Sequence, residues 1–278
     1  MAIVFALLCL VFAAGNDLLF KFYARKKRSK GYFAAIVGLV WLLVTVWLPM
    51  APESNWRMTL IWGAISGFFS ITANLLLLEA MERLGAGLCS TVYRLNLVPV
   101  VIGAAVLLNE SLTWMQWIGV ALATAAVLAF LPRGDKAGKF VLAGFLMVLI
   151  AAFLRAGMGL SYRFGFLNGA DRNMVVVVNS LFWILGGVLF AVFREKQSLK
   201  DQPHIWRYGG LSGLLVAGIV FTMAAALQYG EASIVLPIAQ MSFLLTFGCS
   251  ALFLHEKMTK SVWVGIVCGV GAVLLLSI

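Results

Sequence analysis

The stretch AVLLNESLTWMQWIG at residues 105–119 returns in altered form as ALFLHEKMTKSVWVG at residues 251–265. A shift of 146 positions aligns these stretches without a gap and also aligns the residues before them. The identical pairs are Gly63 and Gly209, Ser66 and Ser212, Gly67 and Gly213, Ala80 and Ala226, Ala105 and Ala251, Leu108 and Leu254, Glu110 and Glu256, Thr113 and Thr259, Trp117 and Trp263, and Gly119 and Gly265. Since self-similarity fixes architecture, the chain is predicted to contain two copies of one unit.

The beginning of each copy aligns with a slightly different shift, of 142 positions. It pairs Leu7 with Leu149, Ala14 with Ala156, Leu18 with Leu160, Phe22 with Phe164, Trp41 with Trp183, and Leu43 with Leu185. The four-residue difference falls in one connection between apolar runs. We therefore predict repeats at residues 1–132 and 138–278.

The composition indicates a membrane protein, because 63% of the 278 residues are hydrophobic and only 12% are charged. A water-soluble globule of this composition would expose too much apolar surface. About 20 apolar residues in a helix cross a bilayer. The predicted spans are 3–22, 32–49, 58–79, 86–108, 114–131, 139–162, 174–193, 206–228, 232–254 and 260–277.

These spans are predicted to be helices rather than β-strands, because the runs at 75–78 and 175–178 are apolar on every side. The first apolar run follows the initiating methionine directly, without the positively charged segment that begins a secretory signal peptide. We therefore predict that this run is the first membrane span. Connections of about a dozen residues or fewer leave no room for a soluble catalytic domain. We expect an all-α membrane protein.

Five spans in each copy imply that the second copy enters the membrane from the side opposite to the first. The expected fold is therefore ten transmembrane helices arranged as two inverted five-helix repeats. Inverted repeats are common in secondary transporters, because they allow one fold to open to either side of a central site. This arrangement is the main argument from sequence for transport.

Basic residues predict the orientation of the chain. Of 21 lysines and arginines, 16 lie on the side of the first loop, whereas Arg57, Arg163 and Arg172 lie on the other side and Arg94 and Arg155 lie within spans. The positive-inside rule makes the side of the first loop cytoplasmic and both termini external. We expect a multi-pass protein of the cytoplasmic (inner) membrane, whose net charge of +10 reflects topology rather than nucleic-acid binding.

The stretch from Leu84 to Leu131 contains Pro99, then Leu-Leu-Asn before Glu110, and Trp-Ile before Gly119. Its partner has Phe-Leu-His before Glu256 and Trp-Val before Gly265, again a glutamate followed nine residues later by a glycine. Both resemble the EamA-type branch of the drug/metabolite transporter superfamily.

The resemblance covers both halves and implies a ten-helix carrier. It does not define a substrate, since that superfamily includes exporters of amino acids and other metabolites, sugar-phosphate and nucleotide-sugar carriers, and drug exporters. Many members are described with cytoplasmic termini, and the basic residues of this chain predict the reverse.

Charged residues within apolar spans are costly and usually face a cavity or each other. Asp17 and Lys21 are four residues apart and can pair on one helix face, with Lys21 snorkelling to the headgroups. Arg94 lies about 12 Å inside the cytoplasmic face. It is predicted either to close a gate with Asp17 or Glu79, or to hold a substrate carboxylate or phosphate.

Arg155 is predicted to lie about 10 Å from the external end of its span, at a depth matched by Gln240, the repeat counterpart of Arg94. Together Asp17, Arg94 and Arg155 give a cavity with a net positive charge, which favours a substrate with an anionic group. The alternative is that Arg155 snorkels to the external interface.

Further polar residues near the same depth are candidates for lining a cavity, although hydrogen bonds between helices explain most of them equally well. They are Asn16, Trp41, Asn74, Tyr93, Asn96, Asn179 and Trp183. Glu110 and Glu256 precede predicted helix starts, where a carboxylate complements the helix dipole, and Thr113 and Gln116 have the spacing of a capping box. Asp17 and Glu79 are the candidates for proton coupling.

The four cysteines and two histidines show no metal-site spacing, and no catalytic motif stands out, so we expect neither an enzyme nor a bound metal or cofactor. The primary hypothesis is a monomeric secondary transporter that moves a small polar metabolite with an anionic group, such as an amino acid, by alternating access. The alternatives are a flippase for a lipid or lipid-linked substrate and, from another class, a membrane scaffold or membrane enzyme.

Overall fold

The fold was obtained as a computed structural model that describes residues 1–26, 28–108, 112–130, 139–199, 202, 204–229, 238–254, 259–276 and 278. In this part of the chain the secondary structure is helical, with no strand. The helices are α1 Ala2–Ala24, α2 Lys30–Thr45, α3 Trp56–Arg83, α4 Ala86–Arg94, α5 Leu97–Leu108, α6 Trp114–Phe130, α7 Lys139–Leu167, α8 Arg172–Leu189, α9 Ile205–Tyr229, α10 Ser242–Leu254 and α11 Lys260–Leu276. A π-helical turn, Phe190–Glu195, continues α8.

Within the described residues, six helical segments are long and apolar enough to cross a membrane, and four shorter apolar helices accompany them. The six are Ala2–Ala24, Trp56–Arg83, Ala86–Gly103, Lys139–Leu167, Arg172–Glu195 and Ile205–Met223. Large apolar side chains such as Leu43, Phe153, Leu185 and Leu214 point outward from these helices. Such a surface suits lipid, so the protein is a multi-pass helical membrane protein.

The predicted span at 86–108 is helical but broken, because the chain turns at Leu95 and Asn96 between α4 and α5. Pro99 has no N–H for the Leu95 carbonyl, and its ring crowds that carbonyl, which explains the break. The second repeat is interrupted at Met241, the counterpart of Leu95, between helical residues 238–240 and α10. No proline explains this second break, and residues 230–237 of the predicted span lie outside the described residues.

Polar side chains set the starts of several helices. Ser29 accepts a hydrogen bond from the Tyr32 N–H, and Asn55 accepts from the N–H groups of Arg57 and Met58. The capping box predicted at α6 is present: the Thr113 N–H donates to Gln116 Oε1 at 3.0 Å, and the Gln116 N–H donates to Thr113 Oγ1 at 3.2 Å. Glu110 and Glu256, with their predicted structural roles, lie outside the described residues.

Glycines on α3 and α9 allow close helix packing in equivalent places of the two repeats. On α3, Gly63 and Gly67 lie against Val178 and Phe182 of α8. Their counterparts Gly209 and Gly213 on α9 lie against Ile36 and Val40 of α2, which are the counterparts of Val178 and Phe182. The two halves therefore repeat the same contact with the partners exchanged.

The counterpart helices α2 and α8 also pack directly against each other in antiparallel orientation. Gly31 near the start of α2 meets Gly187 near the end of α8, and Gly38 lies against Trp183. The repeat-related rings of Trp41 and Trp183 make an edge-to-face contact with 5.9 Å between centroids. Antiparallel packing also joins α6 to α11: Gly119 lies against Leu276 and Gly265 against Phe130.

Several basic side chains gather at the end of the bundle where α2 begins, here called the basic end. There Arg28 lies over the rings of Tyr23 and Tyr208, Lys30 pairs with Glu82 at 2.6 Å, and α1 and α3 end. At the opposite end the N-cap Asp171 of α8 binds the connection before α3.

Asp171 lies in this loop network, and burial alone would raise the pKa of its carboxyl. Hydrogen bonds from the N–H groups of Ala51 and Met174 and from the Ser54 hydroxyl outweigh burial and hold the pKa below its ordinary value of 3.8. The carboxylate therefore stabilises the fold at pH values above its ordinary pKa, and this contribution is lost as the pH falls through the lowered pKa.

Replacing Asp171 with asparagine is expected to lower the free energy of unfolding at pH 7 by about 1 kcal/mol, because the amide cannot accept all of these hydrogen bonds. The deficit relative to wild type should shrink as the pH falls below 3.8, which thermal unfolding in detergent would measure. Glu53→Gln changes an exposed carboxylate in the same connection and is the control. An equal effect of both variants would contradict the assignment.

Gly187→Ala is expected to destabilise the protein by about 1–3 kcal/mol through overpacking. A Cβ at Gly187 would lie 2.6 Å from the Gly31 carbonyl oxygen and 2.6 Å from the Ala35 nitrogen, both backbone atoms. Gly210→Ala is the matched control, because no atom lies within 4 Å of its added Cβ. A melting temperature of Gly187→Ala equal to that of the control would show that α2 and α8 are not held at this distance.

Candidate functional site

A central cavity of about 1240 Å³ lies among helices α1, α2, α3, α4, α7, α8 and α9. Eight of the twelve predicted site residues are part of its wall. They are Asn16, Asp17, Trp41, Asn74, Tyr93, Arg94, Arg155 and Trp183. The repeat thus brings side chains far apart in the sequence around one space.

The cavity ends toward the basic end at a buried carboxylate. Asp17 is 4% exposed, and its Oδ2 accepts hydrogen bonds from Ser90 Oγ at 2.5 Å, Arg94 Nη2 at 3.4 Å and Thr246 Oγ1 at 3.5 Å. Of the two partners that the sequence left open for Arg94, the structure places Asp17 beside it. These contacts join α1, α4 and α10.

Lys21 lies one turn beyond Asp17 and is buried, so its ammonium does not snorkel to the surface. Its Nζ donates to the Met81 carbonyl at 2.6 Å and to the Leu84 carbonyl. A cation at the last carbonyls of a helix complements the negative end of the helix dipole. Lys21 thereby joins α1 to the end of α3.

Arg155 lies on the cavity wall away from Asp17. Its Nη1 lies 3.2 Å from the Met158 sulfur, and none of the described carboxylates lies within 4.0 Å of it. The exposed residues Arg163, Leu167 and Arg172 form a mouth where α7 ends and α8 begins. Arg163 and Arg172 therefore add two more cations to the cavity wall.

Two arginines and two aromatic residues of the wall are not among the residues predicted from sequence: Arg163, Arg172, Tyr162 and Phe166. For two of them a signal was present, because Tyr162 and Phe166 follow Arg155 by seven and eleven residues and share its helix face. Arg163 and Arg172 were counted only as loop charges on the less basic side.

The two repeat-related tryptophans differ in their hydrogen bonding. Trp183 Nε1 donates to Ser70 Oγ at 2.9 Å, whereas Trp41 Nε1 is buried and has no partner in the part of the chain that the structure describes. The reason is visible in the repeat, since the counterpart of Ser70 is Val216, which has no acceptor. Val216 also lines the cavity. A buried N–H donor such as that of Trp41, when it has no partner, lowers the free energy of unfolding by about 1–3 kcal/mol.

Four predicted site residues are not on the cavity wall. Glu79 lies on another face of α3, where its carboxylate is 3.8 Å from Arg83 Nη1 and 3.5 Å from Arg194 Nε. Asn179 is fully buried and bonds Ser66 Oγ, the Val175 carbonyl and the Tyr162 hydroxyl. Its contacts are those of a residue that joins helices.

Asn96 and Gln240 sit at the breaks of the two interrupted helices, and Asn96 Oδ1 and Gln240 Oε1 are buried with no hydrogen-bond partner among the described residues. Two cavity residues are partly satisfied within the protein: Asn16 accepts from Ser212 Oγ at 2.7 Å, and Asn74 donates to the Ser70 carbonyl at 2.9 Å. Among the described residues there is no cluster of three or more metal-ligating side chains.

The fold and site define a class: a multi-pass helical membrane protein with a polar, arginine-lined central cavity. Residues 1–131 and 142–278 each match the EamA-like transporter family, so the chain belongs to that family. It is accordingly a two-repeat membrane protein of the drug/metabolite transporter superfamily, and its family points to transport of small molecules rather than catalysis.

An uncharacterised protein of Methanocaldococcus jannaschii is 33% identical over 103 residues, which are 37% of this chain and 74% of that protein. That relative is therefore half as long as this chain, about the length of one repeat. A solved crystal structure of another protein superposes with a TM-score of 0.66 over 99% of this chain and 95% of the other, at 15% sequence identity. This likeness shows the fold alone.

Proposed function

We propose that this protein is a secondary transporter that carries a small metabolite with a carboxylate or phosphate group across the cytoplasmic membrane by alternating access. The observation that carries the proposal is the charge of the central cavity. Among the described residues of its wall there are four arginines, namely Arg94, Arg155, Arg163 and Arg172, and one carboxylate, that of Asp17. In a site of low dielectric this excess of positive charge favours an anionic ligand.

The proposed topology has ten spans in two inverted repeats. The antiparallel packing of α2 on α8 and of α6 on α11 supports it, because each pair consists of counterpart helices. A two-fold axis in the membrane plane relates such pairs, and this symmetry allows a central site to open to either side. The basic end is assigned to the cytoplasm and both termini to the outside.

In this assignment the structure corresponds to a state that is open outward, with its mouth at Arg163 and Arg172. The contact of Asp17 with Arg94, Ser90 and Thr246 is the proposed cytoplasmic gate. A substrate anion that reaches Arg94 competes with Asp17 for the same guanidinium and weakens the gate. Arg94 would then serve as both gate and ligand, and Asp17 is the proposed group for proton coupling.

The proposal of a carrier is favoured over a flippase by the shape of the cavity. A flippase needs a lateral opening through which a lipid headgroup can enter the central site. The cleft between α3 and α8 on the outer surface shares no lining residue with the central cavity. A soluble metabolite can enter instead through the mouth between α7 and α8.

Arg155→Ala is expected to abolish binding of the substrate anion and leave the fold intact, because in the described part of the chain the Arg155 guanidinium bonds only the Met158 sulfur and pairs with no carboxylate. A thermal-shift screen of the wild type against metabolite carboxylates, phosphates and organic cations would first identify the anion that stabilises it most. Without the charge-assisted contact from Arg155, the affinity of the protein for this anion should fall about 10-fold or more. Uptake of the radiolabelled anion into proteoliposomes should fall in parallel.

Arg57→Ala is the control for charge, since Arg57 lies over the ring of Trp56 outside the cavity and on the same side of the membrane as the mouth. This variant should bind and transport like the wild type. Unchanged uptake by Arg155→Ala would remove Arg155 from the site. Stabilisation of the wild type by organic cations alone would overturn the proposed substrate class.

Trp41 Nε1–H is a proposed hydrogen-bond donor to the same anion, and Val216→Ser is expected to weaken binding by occupying this donor while every arginine stays in place. A serine at 216 supplies the acceptor that Ser70 provides for Trp183, so Trp41 Nε1 would bond within the protein instead of to the substrate. The loss of one neutral hydrogen bond corresponds to about 2- to 10-fold in affinity, with a melting temperature equal to or above that of the wild type. Val216→Ala adds no acceptor, and equal affinities of the two variants would contradict a substrate role for Trp41.

A further inference from the structure

A second cavity, of about 610 Å³, lies on the outer surface between α3 and α8, and we call it the lateral cleft. Apolar residues form most of its wall, and three large ones remain at least half exposed: Phe68 at 58%, Leu185 at 61% and Leu189 at 54%. Because α3 and α8 are membrane-spanning helices, the cleft faces lipid. It extends along α3 from Phe68 to Glu79, about 16 Å at the rise of an α-helix.

The lateral cleft ends in a charged cluster at the basic end of the bundle. One carboxylate, Glu79, is shared by Arg83 and Arg194, at distances of 3.8 and 3.5 Å. The neighbouring carboxylate of Glu195 accepts its hydrogen bonds from the start of α2, and each guanidinium carries five N–H donors, so Arg194 and Arg83 keep donors for an anion. The Arg194 side chain is 64% exposed, so its donors can reach a ligand in the cleft or at its rim.

The geometry points to a binding site for one anionic phospholipid, with an acyl chain in the lateral cleft and its phosphate on Arg194 and Arg83. A narrow apolar cleft that ends in positive charge at headgroup level matches the two parts of such a lipid. Basic pockets between transmembrane helices are known to bind anionic headgroups. A transmembrane helix of a second copy would fill the apolar part and leave the arginines without an anion.

Occupation of the lateral cleft would act on the contact between the two repeats. Arg194 lies in the π-helical turn that continues α8, and the next residue, Glu195, bonds Ser29 Oγ at 2.6 Å and the Lys30 N–H at 2.9 Å. These bonds hold the start of α2 against the end of α8. A lipid phosphate on Arg194 would therefore stabilise the contact of α2 with α8 without entering the central cavity.

The test is thermal unfolding and native mass spectrometry of delipidated protein with phosphatidylglycerol and, separately, with phosphatidylcholine of the same chains. We expect phosphatidylglycerol alone to stay bound and to raise the melting temperature. Arg194→Ala should lower the apparent affinity about tenfold, whereas Arg207→Ala, an exposed arginine at the basic end but outside the cleft, should not. Free glycerol 3-phosphate, which lacks acyl chains, should stabilise the wild type and Arg194→Ala equally, because any binding of it belongs to the central cavity and not to the lateral cleft.

A second pair of variants tests the apolar part of the site. Thr72 lines the lateral cleft, and Thr124 on α6 does not, yet both donate their hydroxyl to the carbonyl four residues earlier. Thr72→Trp should block lipid binding, and Thr124→Trp should not.

Equal stabilisation by both phospholipids, or equal binding by Arg194→Ala and Arg207→Ala, would overturn the proposal. A dimer in the wild type that Thr72→Trp converts to monomer would assign the cleft to a second copy instead. Anion uptake through the central cavity is a separate measurement, so failure of the lipid site leaves the transport proposal standing.

Discussion

The close antiparallel contact between α2 and α8 is the interaction on which the rest of the structure depends. Gly31 and Gly187 allow the two backbones to meet, and the Trp41 and Trp183 rings touch further along the same contact. Counterpart helices that cross in this way bring the two repeats together around a shared centre. On either side of this pair, α3 packs on α8 and α9 packs on α2 through equivalent glycine contacts. Without the small residues the helices would separate, and the central cavity would lose its walls.

Lipid places a second constraint on the fold, because polar groups cannot turn to water within the bilayer. The protein satisfies most of them internally, as Asn179, Trp183 and Lys21 illustrate. The exceptions are concentrated near the central cavity and at the helix breaks: Trp41 Nε1, Arg94 Nε and Asn96 Oδ1 have no partner in the described part of the chain. Buried polar groups left open in this way are expensive, and a ligand site is a physical reason to retain them.

Much of this arrangement could be predicted from the sequence, because it follows from periodicity and local chemistry. The repeat predicted which glycines occupy equivalent packing positions, and the spacing of Thr113 and Gln116 predicted the cap of α6. What the sequence could not give was the direction of individual side chains around a helix. On α3, residues five apart point about 140° away from each other, so Asn74 and Glu79 cannot both face one cavity. That Asn74 faces the central cavity and Glu79 the lateral cleft depends on the rotation of α3 against α7 and α8, which only the tertiary packing determines.

The two repeats share a backbone plan, but they do not share the charges of the proposed gate. The counterpart of Asp17 is Gly159, and the counterpart of Arg94 is Gln240, so the second repeat cannot form the same ion pair. In the proposed alternating-access cycle, the opposite end would therefore close without a counterpart of this ion pair. The state closed at the basic end would keep the buried Asp17–Arg94 pair, and the other state would have to separate it, so the two states would differ in electrostatic energy. A substrate anion that replaces Asp17 at Arg94 reduces that difference, so the asymmetry of the sequence, rather than the symmetry of the fold, can couple binding to movement.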